Sequence, residues 1–340
     1  MTMKGIILRI IKQMANDKRT LALIIVAPLI ILSLMYLLLG ENSYQPMIGV
    51  KEGFPKAVSD ALLKQDVRIT TLAGSENTDV LLKNKKVDAV LSMDLTGLHL
   101  AMLEADGVKA TKITQAMKEA MSSMLPIGKL DISFLYGGQN STAFNSLGYV
   151  LLGVLSFFFV FIISGITFVR ERESGTLERL MTTPVHRWQV VGGYTVGFGL
   201  FAAVQGVIIT LFTKYVLGIT FEGSLLLAIL IMILLAFTAV SAGALVSIFA
   251  NNEFQVMQFI PIFIIPQIFF SGLLSIETLP YGLGNLAYLM PVYYGCTGLK
   301  NVMVMGMGIM ETAGYLLMLL GIIALFSFIN ILALKRYRSL

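Results

Sequence analysis

The sequence predicts an α-helical membrane protein of six transmembrane helices, with a small α/β domain inserted after the first. Three observations lead there. Of 340 residues, 56% are hydrophobic and only 13% charged, against about 25% in an ordinary soluble globule. The apolar residues run in stretches of roughly 20 or more, the length that crosses a bilayer as a helix. The charges gather in residues 41–131, at the two ends and in one short run, 170–188. Such a chain is not a soluble globule. One cysteine, Cys296, excludes an intramolecular disulfide and a cysteine-based zinc site. The net charge of +5 comes from basic residues divided among membrane-flanking loops. They form no stripe, so they read as orientation signals rather than as a nucleic-acid surface.

Residues 1–20 alternate Ile6, Ile7, Ile10, Ile11 and Met14 with Lys4, Arg9, Lys12, Lys18 and Arg19. This is a helix with one greasy and one basic face, expected to lie in the interface against anionic headgroups. Residues 21–40 form the first span. Leu21–Leu39 holds thirteen Leu, Ile or Val residues, which favours insertion by about 4–8 kcal/mol before the cost of its polar residues and Pro28. A cleaved signal peptide would have a shorter apolar run and a small-residue cleavage site. Leu39-Gly40-Glu41-Asn42 offers none, so the reading is an uncleaved anchor with its basic N-terminal side in the cytoplasm.

Residues 41–143 change character. Strand-like runs at Pro46–Val50, Val67–Leu72, Val87–Met93 and Leu98–Leu103 alternate with helical ones at Pro55–Gln65, Asn77–Lys85 and Val108–Leu125. Asp94-Leu95-Thr96-Gly97 reads as a hairpin turn. This is the inserted α/β domain, placed outside the cell, because long loops cross largely regardless of their charge.

Five further spans occupy 144–340. The second, about Ser146–Val169, carries Phe157, Phe158, Phe159 and Phe161. After it comes the charged run, in which Leu177, Leu180 and Met181 fall at helical spacing until Pro184 ends the helix. Trp188 closes the run as an interface anchor. In the third span, Val190–Tyr215, Gly193-x-x-x-Gly197 and Gly199 would admit a close helix, and Gln205 is a lone polar group requiring a partner. The fourth span is about Leu225–Phe249. The fifth begins near Val256 and should kink at Pro261 and Pro266. Between Glu277 and Lys300, residues 278–299 are uncharged but rich in Pro and Gly, so 277–300 reads as a broken outer hairpin rather than a span. The sixth span, Thr312–Leu334, returns the basic tail to the cytoplasm.

Glu171-Arg172-Glu173, Gly175-Thr176-Leu177-Glu178, Leu180 and Thr183-Pro184-Val185 resemble the first cytoplasmic loop of ATP-binding-cassette type-2 permeases, the membrane subunits of a class of ABC exporters. The resemblance follows the later spans in order and is weak over 41–140. It implies that the loop is a coupling helix docking on a separate ATPase. Leu177, Leu180 and Met181 would be its anchors, Glu171, Arg172, Glu173 and Glu178 would set register, and Gly175, Thr176 and Pro184 would complete the motif. It also implies an N-terminal connecting helix and re-entrant outer helices. The second and fifth spans would line a cleft between two copies, or paralogues, of this fold. That brings Phe157, Phe161, Phe263 and Gln267 toward a substrate pathway, to which Gln205 is a further polar candidate.

No G-x-x-x-x-G-K-[ST] sequence is present, and Ile127-Gly128-Lys129-Leu130 contains only a stray Gly-Lys. The expectation is therefore no cofactor on this chain, with ATP and Mg on the partner ATPase. No Cys/His cluster suits a metal, and His99 and His186 fall on opposite sides of the membrane in this topology. The spans hold almost no ionisable group, which disfavours ion coupling and points to an amphipathic or lipophilic substrate. The alternative function class is a non-transporting receptor or scaffold with a ligand-binding outer domain. It accounts for the insertion but not for the six spans.

Overall fold

The computed structural model describes residues 2–39, 47–51, 56–63, 67–72, 81–82, 86–94, 97–102, 113, 116–120, 143–273 and 280–334. They divide into two compact units, one of residues 1–40 and 136–340 and the other of residues 41–135.

In the smaller unit the described elements are β1 (Met47–Lys51), α3 (Lys56–Leu63), β2 (Arg68–Leu72), β3 (Ala89–Asp94) and β4 (Gly97–Met102). They make a sheet in the order β2-β1-β3-β4. β1 is parallel to both neighbours, as a β1–α3–β2 crossover requires. β3 and β4 pair antiparallel, with Asp94 opposite Gly97. Both faces are covered. Ile48, Val50 and Leu91 join Leu62, Ile113 and Met117 on one side, and Leu72, Leu81, Leu82, Val87 and Val90 cluster on the other. A side chain at Gly49 would come 3.0 Å from Leu72 Cγ and 3.3 Å from Val87 Cγ1, so glycine there lets the second face close. Leu95 and Thr96 of the expected turn, residues 77–80 and 83–85, and most of 108–125 lie outside the described residues.

The larger unit holds α1 (Met3–Asn16), α2 (Lys18–Leu39), α4 (Ala143–Glu173), α5 (Thr176–Met181), α6 (Arg187–Tyr215), α7 (Leu225–Ser247), α8 (Glu253–Ile268), α9 (Pro291–Met303) and α10 (Ile309–Ala333). Among the described residues, six helices are long and apolar enough to cross a membrane. α4, at 31 residues, measures about 46 Å at 1.5 Å per residue. The hydrocarbon core is about 30 Å thick, so α4 is long enough for its charged last turn to lie beyond it. α7 is the central post, with Leu227, Ile231, Met232, Leu235, Ala236 and Ala239 buried. Pro261 and Pro266 lie inside α8, and the chain runs on through a π-helical turn, Phe269–Leu273, where Gly272 takes a φ of +95°. A 3-10 segment, Pro280–Leu289, then leads into α9. At 13 residues, α9 reaches about 20 Å, too short to cross. Residues 277–279 of the expected hairpin and the tail from Lys335 lie outside the described residues.

The first helix seats one stripe of its greasy face in protein: Ile6 and Ile10 are fully buried and Met14 nearly so. They seat on α6 at the two predicted glycines. A Cβ at Gly193 would lie 2.8 Å from Ile6 Cγ2, and one at Gly197 would lie 2.9 Å from Ile10 Cγ2. The close helix that Gly193-x-x-x-Gly197 admits is therefore α1. That stripe packs on protein because two small residues let the β-branched side chains reach the α6 backbone. At the α1–α2 corner, Asp17 caps α2 by accepting from the Thr20 amide at 3.1 Å and its hydroxyl at 2.6 Å. These bonds hold the carboxyl below its usual pKa.

Candidate functional site

The last turn of α4 is built from four consecutive charged residues, Arg170 to Glu173; Glu173 faces out, and each of the other three points to a different element. Successive helical residues are rotated by about 100°, so Arg170, Glu171 and Arg172 fan over more than half the helix circumference. Arg170 makes a forked ion pair with Glu253 at the start of α8, through Nε to Oε1 at 2.8 Å and Nη2 to Oε2 at 3.1 Å. Arg172 donates to the Ser247 carbonyl at 3.1 Å and to the Ala250 carbonyl, satisfying the end of α7. Glu171 turns inward. It is 6% exposed. Its Oε2 accepts from Arg9 at 2.8 Å and from the Tyr194 hydroxyl at 2.8 Å, and its Oε1 accepts from Gln13 at 3.0 Å. Arg9 also donates to the Tyr194 hydroxyl and lies 5.6 Å from the centre of its ring. α1, α4 and α6 are thereby tied in one polar clamp.

The two ion pairs differ in strength. The Arg170 and Glu253 side chains are 56% and 35% exposed, a setting in which a pair contributes about 0–1 kcal/mol. Arg9 and Glu171 are 27% and 7% exposed. Removing one partner there strands a charge among apolar neighbours, at a cost of about 3 kcal/mol or more.

Beyond Glu173, Gly175 takes a left-handed φ of +66° and starts α5. No atom within 4 Å would meet a Cβ there, so only the backbone demands glycine. The Thr182 and Thr183 hydroxyls donate to the Arg179 and Leu180 carbonyls at 2.8 and 2.6 Å. They close the end of α5 before Pro184.

The packing of α5 corrects its expected roles. Leu180 is 5% exposed, and Leu177 and Met181 pack half-buried on the same transmembrane core. Leu180 holds α5 to its own bundle and is not free to anchor a partner, while Leu177 and Met181 give the bundle only part of their surface. Leu177 also lines a recess with Phe168, Val190, Tyr194, Ala244 and Leu334, of about 50 Å³. That is well below the roughly 300–1,000 Å³ of a small-molecule pocket. Glu171 and Arg172 likewise face inward. Outward stand Glu173, Ser174, Glu178, Arg179, Thr182 and Pro184. Thr176 is half-buried, its hydroxyl 2.8 Å from that of Ser174. Apolar spacing found the helix, but a one-faced helix beside a membrane bundle has two candidate partners, and the bundle took that face. Arg9, Gln13, Arg170, Tyr194 and Glu253 were missed. The available signal was the charge run itself, since four consecutive charges on one helix cannot all face the same water.

Of the pathway candidates, three come together. Phe157 and Phe161 are each 1% exposed and stack with centroids 6.0 Å apart. Phe161 stacks on Phe263 of α8 at 4.7 Å with planes 6° apart. Gln267 instead pins the C-terminal end of α8 to the start of α9. Its Oε1 accepts from the Val292 amide at 3.0 Å and its Nε2 donates to Met290 Sδ at 3.3 Å. Gln205 is fully buried, and neither its Nε2 nor its Oε1 has a hydrogen-bond partner among the described residues. Among those residues, too, no group of His, Cys, Asp and Glu could hold a metal.

Comparison with known proteins agrees with this architecture. Residues 121–304 match the family described as ABC-2 type transporter. The chain is 26% identical over 227 residues to ABC transporter G family member 20 of Dictyostelium discoideum, covering 66% of this chain and 31% of that protein. It is 30% identical over 143 residues to the probable multidrug ABC transporter permease YbhR of Escherichia coli, covering 42% and 39%. It is 25% identical over 175 residues to the linearmycin resistance permease protein LnrN of Bacillus subtilis, covering 51% and 44%. The matched stretch thus spans less than half the length of each of these relatives. The family match takes in more than half of the present chain, from before the second span to the end of α9, and the chain belongs to the ABC-2 type transporter family.

Proposed function

We propose that this chain is the permease subunit of an ATP-driven exporter in the cell membrane, with both ends in the cytoplasm, working as a pair with a second copy or a paralogue. ATP and Mg belong to a separate ATP-binding subunit. That subunit docks on the outward, polar face of α5 and the turn after it, at Glu178, Arg179, Thr182 and Pro184. The observation that carries this reading is the hub at the end of α4. A push on α5 meets a turn tied at once to α1, α6, α7 and α8. The substrate is amphipathic or lipophilic. The aromatic stack between α4 and α8 supports this, as do the names of relatives associated with multidrug and linearmycin resistance.

The test is expression of the tagged chain in its native cell, with the nucleotide-binding proteins of that cell present. The expected result is co-purification of an ATP-binding subunit, and ATP-dependent uptake of a lipophilic dye into inside-out vesicles. Failure of any nucleotide-binding protein to associate, together with labelling of a Glu178→Cys variant by an impermeant thiol reagent from outside the cell, would overturn the reading.

A further inference from the structure

The three contacts of the α4 hub are unequal, and the inequality has a direction. Glu171 is buried and shared by Arg9, Gln13 and Tyr194. Arg172 is held by two carbonyls at the end of α7. Arg170 and Glu253 meet in the most exposed position of the three, where water and salt compete for both charges. Behind that pair lies a small apolar contact of Val169, Ala250 and Val256. α8 itself is lightly held: 22% of its apolar stretch is buried, against 67% for α4. Its C-terminal end is pinned by Gln267 to Val292. The turn between Ala250, which Arg172 holds, and Glu253, which Arg170 holds, is Asn251-Asn252, and Asn252 caps α8 from an extended backbone.

We infer that Arg170 and Glu253 form the releasable latch of the transport cycle. The Glu253 end of α8 swings away from α4 with the Gln267 pin as pivot and the Asn251–Asn252 turn giving way, while α1, α4 and α6 travel as one body. The inference rests on the exporter reading for its driving force. Opening the latch parts Phe161 from Phe263, so the space it creates lies between α4 and α8. Arg170 and Glu253 are positioning residues: they set where α8 stands and need not touch the substrate.

The test uses the full chain in nanodiscs, with nitroxide labels at Glu173→Cys and Phe254→Cys across the latch, and at Lys12→Cys and Leu200→Cys across the clamp. All four positions are exposed, and Cys296 is fully buried, so the introduced thiols are the ones that label. Raising salt from about 0.05 to about 0.5 M, or introducing Glu253→Gln, should broaden the 173–254 distance distribution about twofold and leave 12–200 unchanged. The swap Arg170→Glu with Glu253→Arg should restore the narrow distribution. A pair that only stabilised the fold would move both distances or neither. Trapping the complex with its ATP-binding subunit in ATP should lengthen 173–254 alone. A 173–254 distance indifferent to salt, to Glu253→Gln and to nucleotide would overturn the latch, and so would a 12–200 distance that moves equally. Should salt and Glu253→Gln open the latch while no nucleotide-binding subunit associates, the latch stands and the exporter reading falls.

Discussion

The Tyr194 hydroxyl donates to Glu171 Oε2 at 2.8 Å from the third span to the end of the second, and the same hydroxyl accepts from Arg9 on the first helix. One phenol thus closes a clamp among three helices, in which Arg9 lies 162 residues before Glu171 and further still before Tyr194. Tyr194 is 1% exposed, so water does not replace what its removal takes away.

Tyr194→Phe should therefore lower the melting temperature of the full chain in nanodiscs, with a loss of about 1.5–3 kcal/mol for a charge-assisted bond. Glu171→Ala should cost about 3–5 kcal/mol, because Arg9 would be left without its carboxylate. Arg9→Met with Glu171→Gln should cost less than Glu171→Ala alone. A melting temperature unchanged by Tyr194→Phe would contradict the clamp.

Gly197→Ala should loosen α1, since the new methyl would fall within 3.0 Å of three Ile10 atoms. Hydrogen exchange across residues 3–16 should accelerate. Ile10→Ala in the same chain should restore protection, because it frees the space the methyl needs.

Leu180→Asp should damage the bundle itself, placing a charge at a position only 5% exposed, and should lower the melting temperature before any partner is added. Glu178→Lys and Arg179→Glu, both on exposed residues, should leave stability within about 0.5 kcal/mol while weakening ATP-binding-subunit association in a pull-down. The reverse pattern would return Leu180 to the role of anchor.

Gln205→Leu should stabilise the isolated chain by about 1–3 kcal/mol, because it removes a buried amide with neither atom bonded among the described residues. If melting shows a loss instead, a water or a second subunit satisfies that amide.

Much of this protein was legible in order along the chain. Span lengths follow from the thickness of hydrocarbon, the strand-to-helix alternation of the inserted domain from side-chain periodicity, and the short α5 from Leu177, Leu180 and Met181 ahead of Pro184. The pair Gly193 and Gly197 announced a close helix approach without saying which helix would make it. These are local properties, decided by the neighbours of each residue in sequence. Tertiary structure alone decided that α1 fills that groove, that Leu180 faces its own bundle, and that Arg170, Glu171 and Arg172 go to three destinations. The physical reason is that periodicity defines a face but not what covers it. A charged side chain is settled by whichever opposite charge or carbonyl the fold brings within about 3 Å, and Glu171 finds its partners 23, 158 and 162 residues away.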